Sequence, residues 1–150
     1  MKPRMWLAST LMLLMVQAGG AQDEAKKDLQ RMNGAWAARL VEQAGKLAST
    51  DDQARFKVKL IVSGNTYKAF FDDKQIASGV MALDPNKRPK TIDVFPMDGP
   101  DKGKVQPGIY TFVGDDMVVV FTDPGKQRPA QFKTRPGTDE IYLSYQRIKK

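Results

Sequence analysis

The sequence predicts an all-β protein: an antiparallel up-and-down barrel of about eight short strands, preceded by a short N-terminal helix. Three observations lead to that expectation. Apolar and polar residues alternate with a period of two over most of the chain beyond Gly34. Clusters of Gly, Pro, Asn and Asp punctuate the alternating runs at short intervals. None of the connections carries the amphipathic helix that a parallel crossover requires.

The first segment stands apart from the barrel. Lys2 and Arg4 precede an apolar run over 5–16 (MWLASTLMLLMV), and small residues gather at Ala18, Gly19, Gly20 and Ala21. That order is the order of a secretory signal peptide, with cleavage after Ala21 or after Ala18. The run falls short of the roughly 20 apolar residues that span a bilayer, so an uncleaved anchor is the weaker alternative. The expected division is a signal peptide over 1–21 and a barrel domain over 22–150, exported to the periplasm or beyond the cell. No stable membrane insertion is expected after cleavage. Losing Lys2 and Arg4 leaves 22 basic against 17 acidic residues, so the net charge falls from +7 to +5. Four of the eight methionines fall in this segment, and the methionine-rich character is assigned to it rather than to the fold.

Residues 23–32 (DEAKKDLQRM) place acids before bases, which suits the helix dipole, and set Ala25, Leu29 and Met32 on one face. Asn33-Gly34 stops that helix. Trp36, Ala38 and Leu40 then alternate with Ala37, Arg39 and Val41 as a first strand, and the polar stretch 44–53 reads as a loop. Phe56, Val58, Leu60 and Val62 alternate with Arg55, Lys57, Lys59 and Ile61, the clearest half-buried strand in the chain. Ser63-Gly64-Asn65 turns into a partner strand at 66–71, and Asp72-Asp73-Lys74 turns into another at 75–83. Asp84-Pro85-Asn86 ends that strand, and 91–95 supplies the next. A connection rich in Gly, Pro, Asp and Lys covers 96–107. Strands at 109–113 and 117–121 flank the turn Gly114-Asp115-Asp116, and a Pro/Gly loop at 123–136 leads to the last strand at 141–148.

Closing such a meander removes its edges, and at about eight strands the interior is filled by side chains or holds one small ligand. An open sandwich of similar strands is the competing architecture. Phe56, Val58, Leu60, Phe71, Ile92, Val94, Val119, Phe121, Ile141 and Leu143 form the expected core. Each contributes roughly 1.5–3 kcal/mol on burial. Packing alone must hold the domain, because the 150 residues include no Cys and no His. The same absences exclude disulfides, thiolate nucleophiles, imidazole catalysis and His-ligated zinc or haem.

Gly34-Ala35-Trp36, opening the first strand directly after the helix, resembles the G-x-W signature of the lipocalin-like superfamily. Leu83-Asp84-Pro85, Lys87-Arg88-Pro89, Ile92-Asp93, Gly99-Pro100, Lys102-Gly103-Lys104 and Gly108-Ile109-Tyr110 follow in order, then Pro124-Gly125-Lys126 and Arg128-Pro129 with Phe132. This ordered set is similar to an uncharacterised lipocalin-like domain family abundant in Planctomycetes, over most of the chain beyond the signal. The resemblance implies a lipocalin-like barrel, often exported, with no established activity. It also implies that the first-strand Trp36 pairs with an Arg from late in the barrel, for which Arg147 is the candidate. Such a cation–π contact contributes about 0.5–2 kcal/mol and is structural.

The barrel interior carries the main functional expectation. Phe56, Leu60, Phe71 and Phe121, together with the polar Tyr67, Ser78, Thr111 and Tyr145 near the inward register, read as an apolar pocket with a few orienting groups. A filled core is the competing reading. The expected function is a noncatalytic, monomeric binding protein for a small apolar or amphipathic ligand, with no cofactor. The alternative is a protein-interaction or inhibitor module of the cell envelope, acting through loops 96–107 and 123–136. An enzyme would rest on Arg128 and Asp93, the least implausible polar pair, and no convergent catalytic set accompanies them. Asp72-Asp73, Asp115-Asp116, and Asp98 with Asp101 read as solvated turn residues rather than metal ligands, since their spacing matches no EF-hand loop. Lys57, Lys59, Lys87, Arg88, Lys90, Lys102 and Lys104 read as a solvated basic face. No nucleic-acid partner is expected, because the aromatics that would stack on bases sit on the inward register.

Overall fold

A computed structural model of the chain describes residues 15–48 and 57–149. Helix α1 (Met15–Met32) is followed by β1 (Gly34–Gln43), β2 (Lys46–Leu47), β3 (Val58–Ser63), β4 (Thr66–Phe71) and β5 (Lys74–Asp84). Then come β6 (Thr91–Pro96), β7 (Gln106–Val113), β8 (Asp116–Phe121) and β9 (Ile141–Arg147). Neighbours pair in the order β2-β1-β3-β4-β5-β6-β7-β8-β9, all antiparallel, and β1 also pairs with β9. That last pairing closes eight strands into an up-and-down barrel and rules out the open sandwich. The two-residue β2 is a short hairpin arm on the end of β1. The β4–β5 turn at Asp72 and Asp73 takes φ of 50° and 64°, the left-handed pair that matches the twist of a tight hairpin.

Helix α1 is longer than the 23–32 expected, and both expected cleavage points, Ala18 and Ala21, fall within it. Among the described residues, no helix is long and apolar enough to cross a membrane. Its C-terminal turn lies against one end of the barrel, where Met32 is fully buried in the core. The β3–β4 and β7–β8 turns and the β5–β6 connection surround that end; the β4–β5 turn and the β6–β7 and β8–β9 connections surround the other.

Three expected orientations are corrected. A β-bulge in β1 lies between Ala38 and Leu40, so the alternation slips by one residue there. Val41 is therefore buried in the core and Leu40 faces outward, the reverse of the expected strand. In β7 the inward residues are Gly108, Tyr110 and Phe112, and Thr111 pairs with Val118 on the outer face. Ser78 likewise faces out, with its backbone N and Oγ donating to the Asp98 carboxylate at 2.9 Å each.

The outer face of β7 and β8 is itself buried, at Ile109, Val118 and Val120. A strap formed by the β8–β9 connection accounts for this. Arg128 donates through Nη1 to the carbonyls of Ile92 (3.0 Å) and Gly108 (2.8 Å), and through Nη2 to Asp93 Oδ1 (2.6 Å). Farther along, Thr134 donates from its backbone N and Oγ1 to Glu42 Oε1, both at 2.7 Å. One anchor is on β6–β7 and the other on β1, so the segment between them crosses the outside of β8 and β9. Pro129, within that segment, is fully buried.

Candidate ligand cavity

One end of the barrel is closed by interlocking groups. Arg147, at the end of β9, stacks its guanidinium 4.2 Å from the centre of the Trp36 ring. The same guanidinium donates to the carbonyls of Arg31 (2.6 Å) and Asn33 (2.5 Å), and Trp36 Nε1 donates to the carbonyl of Met32 at 2.7 Å. Three consecutive carbonyls at the end of α1, which the helix leaves without partners, are each met by a barrel side chain. A cation at this position also complements the helix dipole. Gly34 fits beneath the guanidinium, since a Cβ there would lie 2.7 Å from Arg147 Nη1 and its φ is +123°. The G-x-W residues and Arg147 thus form one closure.

A second lock joins α1 to the wall. Asp28 is 8% exposed and accepts hydrogen bonds from Tyr110 Oη (2.7 Å) and Lys90 Nζ (2.9 Å). Burial first, and then the bond to Asp28, push the Tyr110 hydroxyl far above its ordinary value, so it stays protonated. Arg31 completes this end, lying 4.2 Å over the Phe112 ring and donating to the Gly114 carbonyl at 2.7 Å.

Above this closure the interior is hollow. A cavity of about 190 Å³ opens among inward residues of seven strands and the end of α1. Leu60, Val62, Ile92, Val94, Val119 and Leu143 supply aliphatic wall, and Ala69 and Ala77 leave the space that larger residues would fill. Gly108 has the same effect nearby: a Cβ there would come within 2.5 Å of the Phe121 ring, so its absence lets Phe121 sit inside the barrel. The polar groups of the lining are the Tyr67 and Tyr145 hydroxyls and the Gln106 amide. Burial pushes the Tyr145 hydroxyl well above its ordinary value. Burial, aided by the charge of Asp98, pushes Tyr67 up to about 12.

Of the residues expected to line a pocket, Leu60, Tyr67, Phe121 and Tyr145 do so. Thr111 does not, because it faces outward. Phe71 sits at the rim, 43% exposed, and Phe56 lies outside the described residues. Sequence reasoning missed Gln106 and three methionines, Met32, Met81 and Met117, which line the cavity from α1, β5 and β8. Methionine richness is therefore a property of the cavity as well as of the N-terminal segment. Among the described residues, the other end of the barrel carries exposed apolar side chains, Leu47, Phe71, Ile76, Met97 and Val105.

Arg128 and Asp93 are bonded to each other on the outside of the wall, anchoring the strap rather than converging on the cavity. Among the described residues no cluster of three acidic side chains is placed to hold a metal ion. The chain matches no known protein-family profile and no curated protein sequence.

Proposed function

We propose that the chain is an exported, noncatalytic binding protein that carries one small apolar or amphipathic ligand inside its barrel, as a member of the lipocalin-like family it resembles. The observation behind this reading is the apolar cavity of about 190 Å³, walled by small and flexible residues where larger ones would close it. One end is locked by α1 and the other is rimmed with apolar side chains, so a ligand enters through the rim. The Gly34, Trp36 and Arg147 closure supports the family reading, and the order of charge, apolar run and small residues over 1–21 supports export. In a second reading the rim binds a protein partner through loop 96–107, where Met97 is 60% exposed. Loop 123–136 supports that reading less, because Arg128 and Thr134 bond it to its own barrel.

Native mass spectrometry of the protein purified from its own cells tests the proposal. The expected result is a small molecule retained by the unaltered chain and lost in Ala77→Leu, which fills the cavity. Apo protein bound in fixed ratio to another protein overturns it in favour of the second reading. The same spectrum reads the N-terminus: a mass beginning at Gly19 or Gln22 is expected, and an intact Met1 rejects signal cleavage.

A further inference from the structure

We infer that the ligand is an uncharged molecule about the size of a single ring, carrying one hydrogen-bonding group that meets the hydroxyls of Tyr67 and Tyr145; the inference rests on the ligand-binding reading above. Its first support is the state of those two hydroxyls. Neither donates to nor accepts from another residue among those described, although Tyr67 is 9% and Tyr145 5% exposed. Every sealed side-chain N or O atom among the described residues has a partner, so these two hydroxyls keep some accessible surface, and both residues line the cavity. Tyr110, on the same wall, gives its hydroxyl to Asp28. With no protein partner, the hydroxyls of Tyr67 and Tyr145 are free to pair with whatever occupies the cavity, water or ligand.

Charge narrows the chemistry. Among the described residues, none that lines the cavity carries a charge. The nearby cations are held elsewhere: Lys90 by Asp28, and Arg147 by the helix carbonyls and the Trp36 ring. Two carboxylates whose charge reaches the barrel tyrosines are engaged as well, Asp98 by Ser78 and Asp28 by Lys90 and Tyr110. A carboxylate or an ammonium entering this cavity would therefore lose its water and gain no free counter-charge. The elevated tyrosine values act in the same direction, keeping both phenols neutral at physiological pH. A fatty-acid carboxylate is therefore a poor fit, whereas a ketone, aldehyde, ester or alcohol is a good one.

Size and surface narrow it further. A volume of about 190 Å³ falls below the roughly 300–1,000 Å³ of drug-sized pockets and near the roughly 150 Å³ of an apolar cavity that accepts benzene. Met32, Met81 and Met117 reach this space from three different elements. Their thioethers are polarizable and adaptable, and they favour aromatic rings.

Titration of the full chain, labelled with ¹³C at the methionine methyls, tests the inference with three matched compounds: acetophenone, ethylbenzene and benzoate. Acetophenone is expected to shift the methyls of Met32, Met81 and Met117 and leave Met97 in place. It should bind roughly threefold to tenfold tighter than ethylbenzene, the worth of one hydrogen bond. Benzoate should bind at least about tenfold more weakly than acetophenone. Tyr145→Phe should bring acetophenone down to the level of ethylbenzene and leave ethylbenzene unchanged; Tyr67→Phe is the second variant should the first fail to fold. Benzoate binding as well as acetophenone, or ethylbenzene binding as well as acetophenone in the unaltered chain, overturns the inference and leaves the ligand-binding reading standing. If none of the three moves the cavity methyls, both are overturned.

Discussion

The two ends of the barrel are built on opposite terms. At the closed end, Asp28, Lys90, Tyr110, Trp36, Arg31 and Arg147 all have partners, and the helix carbonyls they serve are satisfied. Beyond it, the two tyrosine hydroxyls of the cavity and five exposed apolar side chains at the other end have none of these engagements. Polar groups bonded within the protein fix one shape. Polar groups left open within an apolar wall lie where something from outside can complete them. The contrast is clearest between Tyr110 and Tyr145, both nearly fully buried and both with hydroxyls that burial pushes above the ordinary tyrosine value. One holds the helix to the wall. The other holds nothing in the protein.

Tyr110→Phe should therefore produce the largest change. It deletes the donor to a buried carboxylate and leaves Asp28 with Lys90 alone, which costs about 1.5–3 kcal/mol. Urea unfolding measures this, with amide exchange in α1 accelerated along with it. A midpoint unchanged from the parent would remove Asp28 and Tyr110 from the closure. Arg147→Ala comes next, at about 1–2 kcal/mol, because it uncaps two helix carbonyls and exposes the face of Trp36. Red-shifted Trp36 emission should accompany the loss. Unaltered emission and stability would show that the stacking is incidental.

The closed end was also the more legible of the two in the sequence. Gly34, Trp36 and Arg147 stand at the boundaries of a helix and two strands, and a glycine under a guanidinium leaves a clear trace. The strand alternation at Val58, Leu60 and Val62 shows because that wall is buried on its inner side only. Register failed where burial has two sides. The strap covers the outer face of β7 and β8, so 109–113 (IYTFV) and 117–121 (MVVVF) read as nearly continuous apolar runs in which period two is erased. Thr111 was misplaced for that reason. Leu40 was misplaced because a bulge adds one residue without any composition signal. The lock between Asp28, Lys90 and Tyr110 joins residues up to 82 positions apart and leaves no local pattern at all.

The strap offers a smaller, pH-dependent effect that lies outside both ends. Glu140 is 3% exposed and accepts from Arg135 N (3.1 Å), Arg135 Nε (2.9 Å) and Thr138 Oγ1 (2.9 Å). Burial acts to raise this carboxyl, but those hydrogen bonds and the Arg135 charge outweigh it, and its value lies below the ordinary one. A lowered folded-state value means the contribution is complete above the unfolded value of about 4.3 and fades as pH falls through the folded one. Amide protection over 123–140, taken relative to the intrinsic exchange rate at each pH, should thus be high at neutral pH and fall selectively under acid conditions, while the barrel strands keep theirs. Glu140→Gln should flatten that dependence. Equal protection of the strap at both pH values would mean that Glu140 does not hold it.

The smallest change is the one that bears most directly on the comparison. Tyr145→Phe removes a hydroxyl with no partner in the protein and keeps the ring in its place, so its unfolding free energy should stay within about 0.5 kcal/mol of the parent. The same chemical deletion at Tyr110, on the neighbouring wall, should cost several times as much. If Tyr145→Phe were as destabilising as Tyr110→Phe, the hydroxyl would be part of the architecture and the cavity would lose its recognition group. A stability that is indifferent to Tyr145 Oη, together with a ligand affinity that is sensitive to it, would assign that oxygen to binding alone.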